Sequence, residues 1–163
     1  MTSPHIGEDA VAPPDFHSVE GADEPGSHDL VVRLPGNPSQ VSRARRLVTT
    51  ALGRDHPLYD DAVLLTSELA TNAILHTRSG AGGSFTVSVR AARDVVWVRV
   101  QDGGSDGPPC ACHAGAQATS GRGLPLIEAL SHRWGFSRVN GRTTVWFELL
   151  HVRVPPQRRV ELY

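Results

Sequence analysis

Glu68 and Asn72 stand four residues apart in a stretch, Asp60 to His76, that carries the apolar period of a helix. At about 100° per residue the two side chains lie nearly one above the other. Leu64 and Leu75 flank them on one side, and Leu65 and Leu69 on the other. An acid and an amide inside an apolar arc need partners or an open ligand site, because burying an unpaired carboxylate costs on the order of several kcal/mol. Two oxygen donors at this spacing suit Mg²⁺, with waters and phosphate oxygens completing the octahedron. The plainer reading is a helix with a broad polar face.

Two further groups of residues have chemical potential. Asp102 follows Val96, Val98 and Val100 in phase, so its carboxylate should emerge from the end of a strand, where it could accept a hydrogen bond from the amine of a base. Gly104, two residues on, would let a planar ring approach the backbone. Asp-Gly is also an ordinary turn dipeptide. Gly121-Arg122-Gly123-Leu124 precedes a short helical stretch. Backbone N–H groups at a helix start attract anions, and Arg122 adds a charged clamp. The same four residues would also serve as a plain loop-to-helix joint.

These groups need elements to hold them. Leu30 to Leu34 reads as a strand, and Asn37-Pro38 as the start of a helix over residues 39–52 that Gly53 ends. After the helix at residues 60–76, residues 85–89 and 95–101 alternate as two strands of a hairpin. A Gly/Pro/Ala/Ser-rich stretch, residues 103–121, separates them from a helix at residues 124–130. Two final strands, residues 134–139 and 143–150, flank the Asn140-Gly141 turn. Residues 1–28 form an acidic tail without apolar period, expected to be disordered; residues 29–152 make one domain and residues 153–163 a short C-terminal tail. The fold class is α/β in the α+β two-layer sense: a mixed, mostly antiparallel sheet with helices on one face.

Composition narrows the function. All sixteen basic residues are arginine. With no lysine there is no Walker phosphate loop, no pyridoxal Schiff base and no strand lysine of a eukaryotic-type protein kinase. The first 29 residues hold seven of the seventeen acids, which leaves ten acids against all sixteen arginines in the rest. That basic remainder favours an anionic ligand or an acidic partner. No basic stripe with interleaved aromatics points to nucleic acid, and no apolar run approaches a membrane span. A cytoplasmic location is the expectation, without a disulfide framework.

The order and spacing of Glu68-Leu-Ala-Thr-Asn72, Asp102-Gly-Gly104 and Gly121-Arg-Gly123-Leu124 resemble the nucleotide-binding boxes of the superfamily that joins gyrase, heat-shock chaperone, histidine kinase and mismatch-repair ATPases. Within it, the sequence is similar to the anti-sigma-factor serine/threonine kinases, and Thr143-Thr144-Val145-Trp146-Phe147 is similar to their last strand. The resemblance covers residues 30–150. It implies a Bergerat-type ATP-binding fold with ATP and Mg²⁺ as ligands. Asn72 would hold the metal, and Glu68 would be the general base toward a partner's hydroxyl. Asp102 would bind the adenine amine, with Gly104 beneath the ring and Thr144 assisting through water. Gly121, Arg122, Gly123 and Leu124 would wrap the phosphates under a lid at residues 103–121. The implied partners are a sigma factor and an anti-anti-sigma protein of the STAS type, with the protein itself a homodimer. The alternative is a sigma-binding module without transfer activity. Cys110, Cys112 and His113 in the lid depart from the family pattern; their spacing is wrong for common zinc pairs, and an incidental role is expected.

Overall fold

The computed structural model describes residues 28–75, 82–104 and 123–152. Five strands and three helices occupy them: β1 (His28–Pro35), α1 (Val41–Leu52), α2 (Tyr59–Leu75), β2 (Ser84–Ala91), β3 (Val95–Asp102), α3 (Gly123–Leu130), β4 (Arg133–Val139) and β5 (Arg142–Leu150). The strands form one sheet in the order β1-β2-β3-β5-β4. Every ladder is antiparallel, so the expected parallel component is absent among the described strands.

Period-two alternation sorts the sheet into two faces. Phe85, Val87, Val89 and Ala91 of β2 line up with Val96, Val98 and Val100 of β3, and these with Val145, Phe147 and Leu149 of β5. All ten are buried, and the three helices pack on this side. α1 covers β1 and β2 with Ala44, Val48 and Ala51. α2 lies mainly over β3, and α3 fits between α2 and β4 through the fully buried Ile127.

The first helix starts differently from expectation. Asn37 is extended (φ −124°), but its side chain accepts from the Ser39 hydroxyl instead of from a backbone N–H. Proline at the next position then opens a 3₁₀ turn, Pro38–Gln40, and the α-helix proper begins at Val41. At the other end Gly53, with φ +76°, donates its N–H to the Thr49 carbonyl and lets the chain leave. The Asn140-Gly141 turn has φ of 52° and 74°, the two left-handed residues that a two-residue hairpin requires.

The face without helices is more polar, yet parts of it are closed. Trp146 lies against Gly135 and is 1% exposed. A Cβ at Gly135 would fall 3.0 Å from the indole, so glycine lets the ring lie close against the strand there. Glu148, also buried, is held by Trp97 Nε1 and by two nitrogens of Arg133. No described helix is long and apolar enough to cross a membrane.

Candidate functional site

Helix α2 presents Glu68 and Asn72 at the border between its buried ridge and solvent. Leu65, Leu69, Ala73 and Ile74 are buried on the sheet side, while Leu64 and Leu75 are 40% and 57% exposed. The apolar arc expected on both sides of the pair is therefore half open. Glu68 and Asn72 are themselves half-buried. The Asn72 Oδ1 atom, however, is shielded from solvent and has no hydrogen-bond partner. A buried amide oxygen without a donor is costly and rare in folded proteins. An amide oxygen is a hard donor of the kind Mg²⁺ takes, so its chemistry fits the metal once the side chain turns toward the site. No group of three His, Cys, Asp or Glu residues among those described is placed to hold a metal by itself. A metal here would have to share its ligands with a phosphate-bearing molecule and water.

Across the domain, β3 delivers Asp102 to the helix side of the sheet at the strand's last position. Asp102 is 7% exposed, and its Oδ1 accepts the Gly104 N–H at 2.7 Å. Burial pushes its carboxyl above the ordinary range, while that N–H and the nearby charge of Arg138 draw it back. Gly104 has φ +78°, and a Cβ on it would come within 2.0 Å of the Gly141 carbonyl oxygen. The Asp102-Gly103-Gly104 turn thus rests directly on the β4–β5 hairpin.

One expected side chain lies elsewhere. Thr144 pairs with Gln101, and its hydroxyl accepts from Gln101 Nε2 at 3.3 Å on the face opposite the helices. Alternation turns it away from Asp102. Thr143 is the residue in register with Asp102, and Arg138 is in turn in register with Thr143. Arg138, Thr143 and Asp102 therefore form one row across β4, β5 and β3. Thr143 is 4% exposed, with Oγ1 buried and without a partner. Sequence reasoning missed Arg138 and Thr143. The register of the tight Asn140-Gly141 hairpin against β3 was the signal that could have found them.

Gly123 and Leu124 form the first residues of α3, which packs beside α2. Gly121 and Arg122 lie outside the described residues, as do Cys110, Cys112, His113 and His76. The described fold therefore gathers α2, the end of β3, the start of β5 and the start of α3 around the helix side of the sheet. The row of Arg138, Thr143 and Asp102 stands beneath them. Such a site can hold an anion, a base with an exocyclic amine and a divalent cation.

Residues 34–149 match the family model described as "Histidine kinase-like ATPase domain". A search of curated proteins finds no match. Among solved structures, the chain is similar to the crystal structure of the RsbU and RsbW domains of Rv1364c from Mycobacterium tuberculosis. The TM-score is 0.59 at 22% identity, over 78% of this chain and 33% of that one. The chain thus spans about a third of that structure's length, and the likeness concerns the fold.

Proposed function

Because the chain belongs to the histidine kinase-like ATPase domain family, we propose that it binds Mg-ATP on the helix side of its sheet and transfers the γ-phosphoryl group to a serine or threonine hydroxyl of a protein partner. The buried, partnerless Oδ1 of Asn72, one helical turn from Glu68, carries this reading. Residues 29–152 are the unit that performs it.

Each residue has a physical task. The Asp102 carboxylate accepts from the adenine amine, and its own position is fixed by the Gly104 N–H. Thr143, in register with it, offers a hydroxyl to the base edge or to a bridging water. Gly104, where a Cβ could not stand against the Gly141 carbonyl oxygen, holds the turn on the β4–β5 hairpin beneath the base. Gly123 and Leu124 at the start of α3, with Gly121 and Arg122 before them, supply N–H groups and a guanidinium to the phosphates. Asn72 holds Mg²⁺, whose chemistry when bound is to neutralise phosphate charge. Glu68, half-buried and open to solvent, takes the proton of the incoming hydroxyl. Phosphoryl transfer needs chiefly positioning and charge neutralisation, which this set supplies without lysine.

The partner reading follows from the anti-sigma kinase resemblance of the three motifs, and the likeness to a structure that contains an RsbW domain supports it. The acceptor is then an anti-anti-sigma protein, and a sigma factor is the second partner. The test is phosphotransfer from γ-labelled ATP to such proteins from the same genome. Label on a serine or threonine of one of them, lost with Glu68→Gln, is the expected result. ATP binding and sigma-factor binding without transfer to any of them would leave a nucleotide-dependent binding module instead.

A further inference from the structure

On the face of the sheet turned away from the helices, at the end of β1 and β3, lies a cavity of about 350 Å³. Arg33, Ser84, Thr86, Gln101, Asn140 and Arg142 supply its polar side chains. Asp102 borders it too, but its carboxylate is turned to the other face and onto the Gly104 N–H.

The charge of this cavity is uncompensated. Elsewhere on the same face two arginines have acids: Arg90 pairs with Asp29, and Arg133 with Glu148. Arg33 donates its Nε to the Ser84 hydroxyl at 2.7 Å, an interaction that fixes the guanidinium without neutralising it. Among the described residues neither Arg33 nor Arg142 forms an ion pair. Two guanidinium groups, with hydroxyl and amide groups between them, make a receptor for carboxylates.

An excess of acids lies in the chain's own N-terminal segment. Residues 1–27 contain Glu8, Asp9, Asp15, Glu20, Asp23 and Glu24 and no arginine. That segment joins the fold at His28, the start of the edge strand β1, whose eight residues end beside the cavity. Arg33 lies five residues along β1 from His28, about 17 Å at ~3.3 Å per residue. Glu20 and Asp15 precede His28 by eight and thirteen residues, so the chain can turn back and reach it with slack. Asp23, five residues before His28, and Glu24, four before it, have no length to spare for the turn.

We propose that the cavity of Arg33 and Arg142 is the docking site for the chain's own acidic N-terminal segment, with Asp15 and Glu20 as the carboxylates that enter it. Tethering makes the contact effectively intramolecular, so weak exposed ion pairs suffice to populate it at low salt. High salt releases it.

The test uses the full chain, isotope-labelled, in amide and arginine side-chain NMR spectra. Asp15→Asn with Glu20→Gln is expected to move the signals of Arg33, Gln101, Asn140 and Arg142, as is raising NaCl from 20 to 500 mM. Asp23→Asn with Glu24→Gln should move those signals less. Arg33→Gln with Arg142→Gln should make the signals of residues 15–20 insensitive to salt. Three outcomes would overturn the proposal. One is cavity signals that ignore the Asp15 and Glu20 changes; another is an equal response to the Asp23 and Glu24 changes. The third is inorganic phosphate at millimolar concentration shifting the cavity signals of the wild type while those of residues 15–20 stay put, which would mark a small-anion site that the segment does not occupy.

Discussion

Asp102 and Thr143 stand opposite each other across the β3–β5 ladder, both buried on the helix side, and the Thr143 hydroxyl has no partner there. The fold tolerates a buried hydroxyl that it does not use. Thr143→Val, which keeps the shape and removes the oxygen, is therefore expected to leave the free protein as stable as before or more stable by about 1 kcal/mol. ATP affinity should fall about tenfold, the equivalent of ~1.4 kcal/mol. Thermal unfolding and titration calorimetry read the two quantities. Thr144→Val is the control: its hydroxyl meets Gln101 on the other face, and nucleotide affinity should not change. If the two variants lose affinity equally, Thr143 has no role at the base.

Asn72 and Glu68 separate metal binding from chemistry. Asn72→Ala removes the partnerless Oδ1 and should abolish Mg-ATP binding while leaving the melting temperature of the free protein unchanged or raised. Glu68→Gln keeps the size of the side chain but loses the base. It should retain ATP affinity within about twofold and lose phosphotransfer by about 10²-fold or more. Undiminished Mg-ATP affinity in the first variant would remove the metal role, and full transfer in the second would move the base elsewhere.

Much of this fold was legible in the sequence because each element carries a local signal. Alternating valines mark β2 and β3, the Asn140-Gly141 pair marks the last hairpin, and all eight principal elements lie within two residues of their expected bounds. What was not legible depends on contacts between distant segments. The 3₁₀ turn before α1 arises because the Asn37 oxygen is occupied by Ser39. The choice between Thr143 and Thr144 depends on the register of β5 against β3, and a shift of one residue exchanges the faces. Arg138 enters only because β4 lies outside β5 at the sheet edge. The apolar flanks of Glu68 were half misread, since helical phase cannot tell which side of α2 the sheet covers.

Gly104 should be far less replaceable than Gly53, although both have positive φ. At Gly53 a Cβ would meet nothing within 4 Å, so Gly53→Ala costs only backbone strain, about 1–3 kcal/mol. At Gly104 the same strain is joined by a 2.0 Å approach to the Gly141 carbonyl oxygen, which the turn can relieve only by separating from the β4–β5 hairpin. Urea denaturation should place Gly104→Ala at least about 2 kcal/mol below Gly53→Ala. Equal losses would mean that the two turns are not in contact.

Two buried carboxyls give the stability profile opposing slopes in acid. Hydrogen bonds from Arg133, with a smaller share from Trp97, hold the Glu148 carboxyl below its usual 4.5 against the opposing effect of burial. The folded state therefore binds fewer protons there than the unfolded chain, so the stabilisation is present above pH 4.5 and is lost as pH falls through the lowered value. Burial raises Asp102 above 3.8, so at that site the folded state binds more protons, and stability is lost as pH rises from 3.8 through the raised value. Glu148→Gln should make the unfolding free energy less sensitive to pH below 4.5 and lower it at pH 7. Asp102→Asn should do the reverse in the free protein, raising stability at pH 7, with the gain vanishing as the pH drops below 3.8. Urea titrations at intervals from pH 3 to 7 measure both slopes. A Glu148→Gln profile parallel to the wild type throughout would show that the Arg133 pair does not set the acid limb.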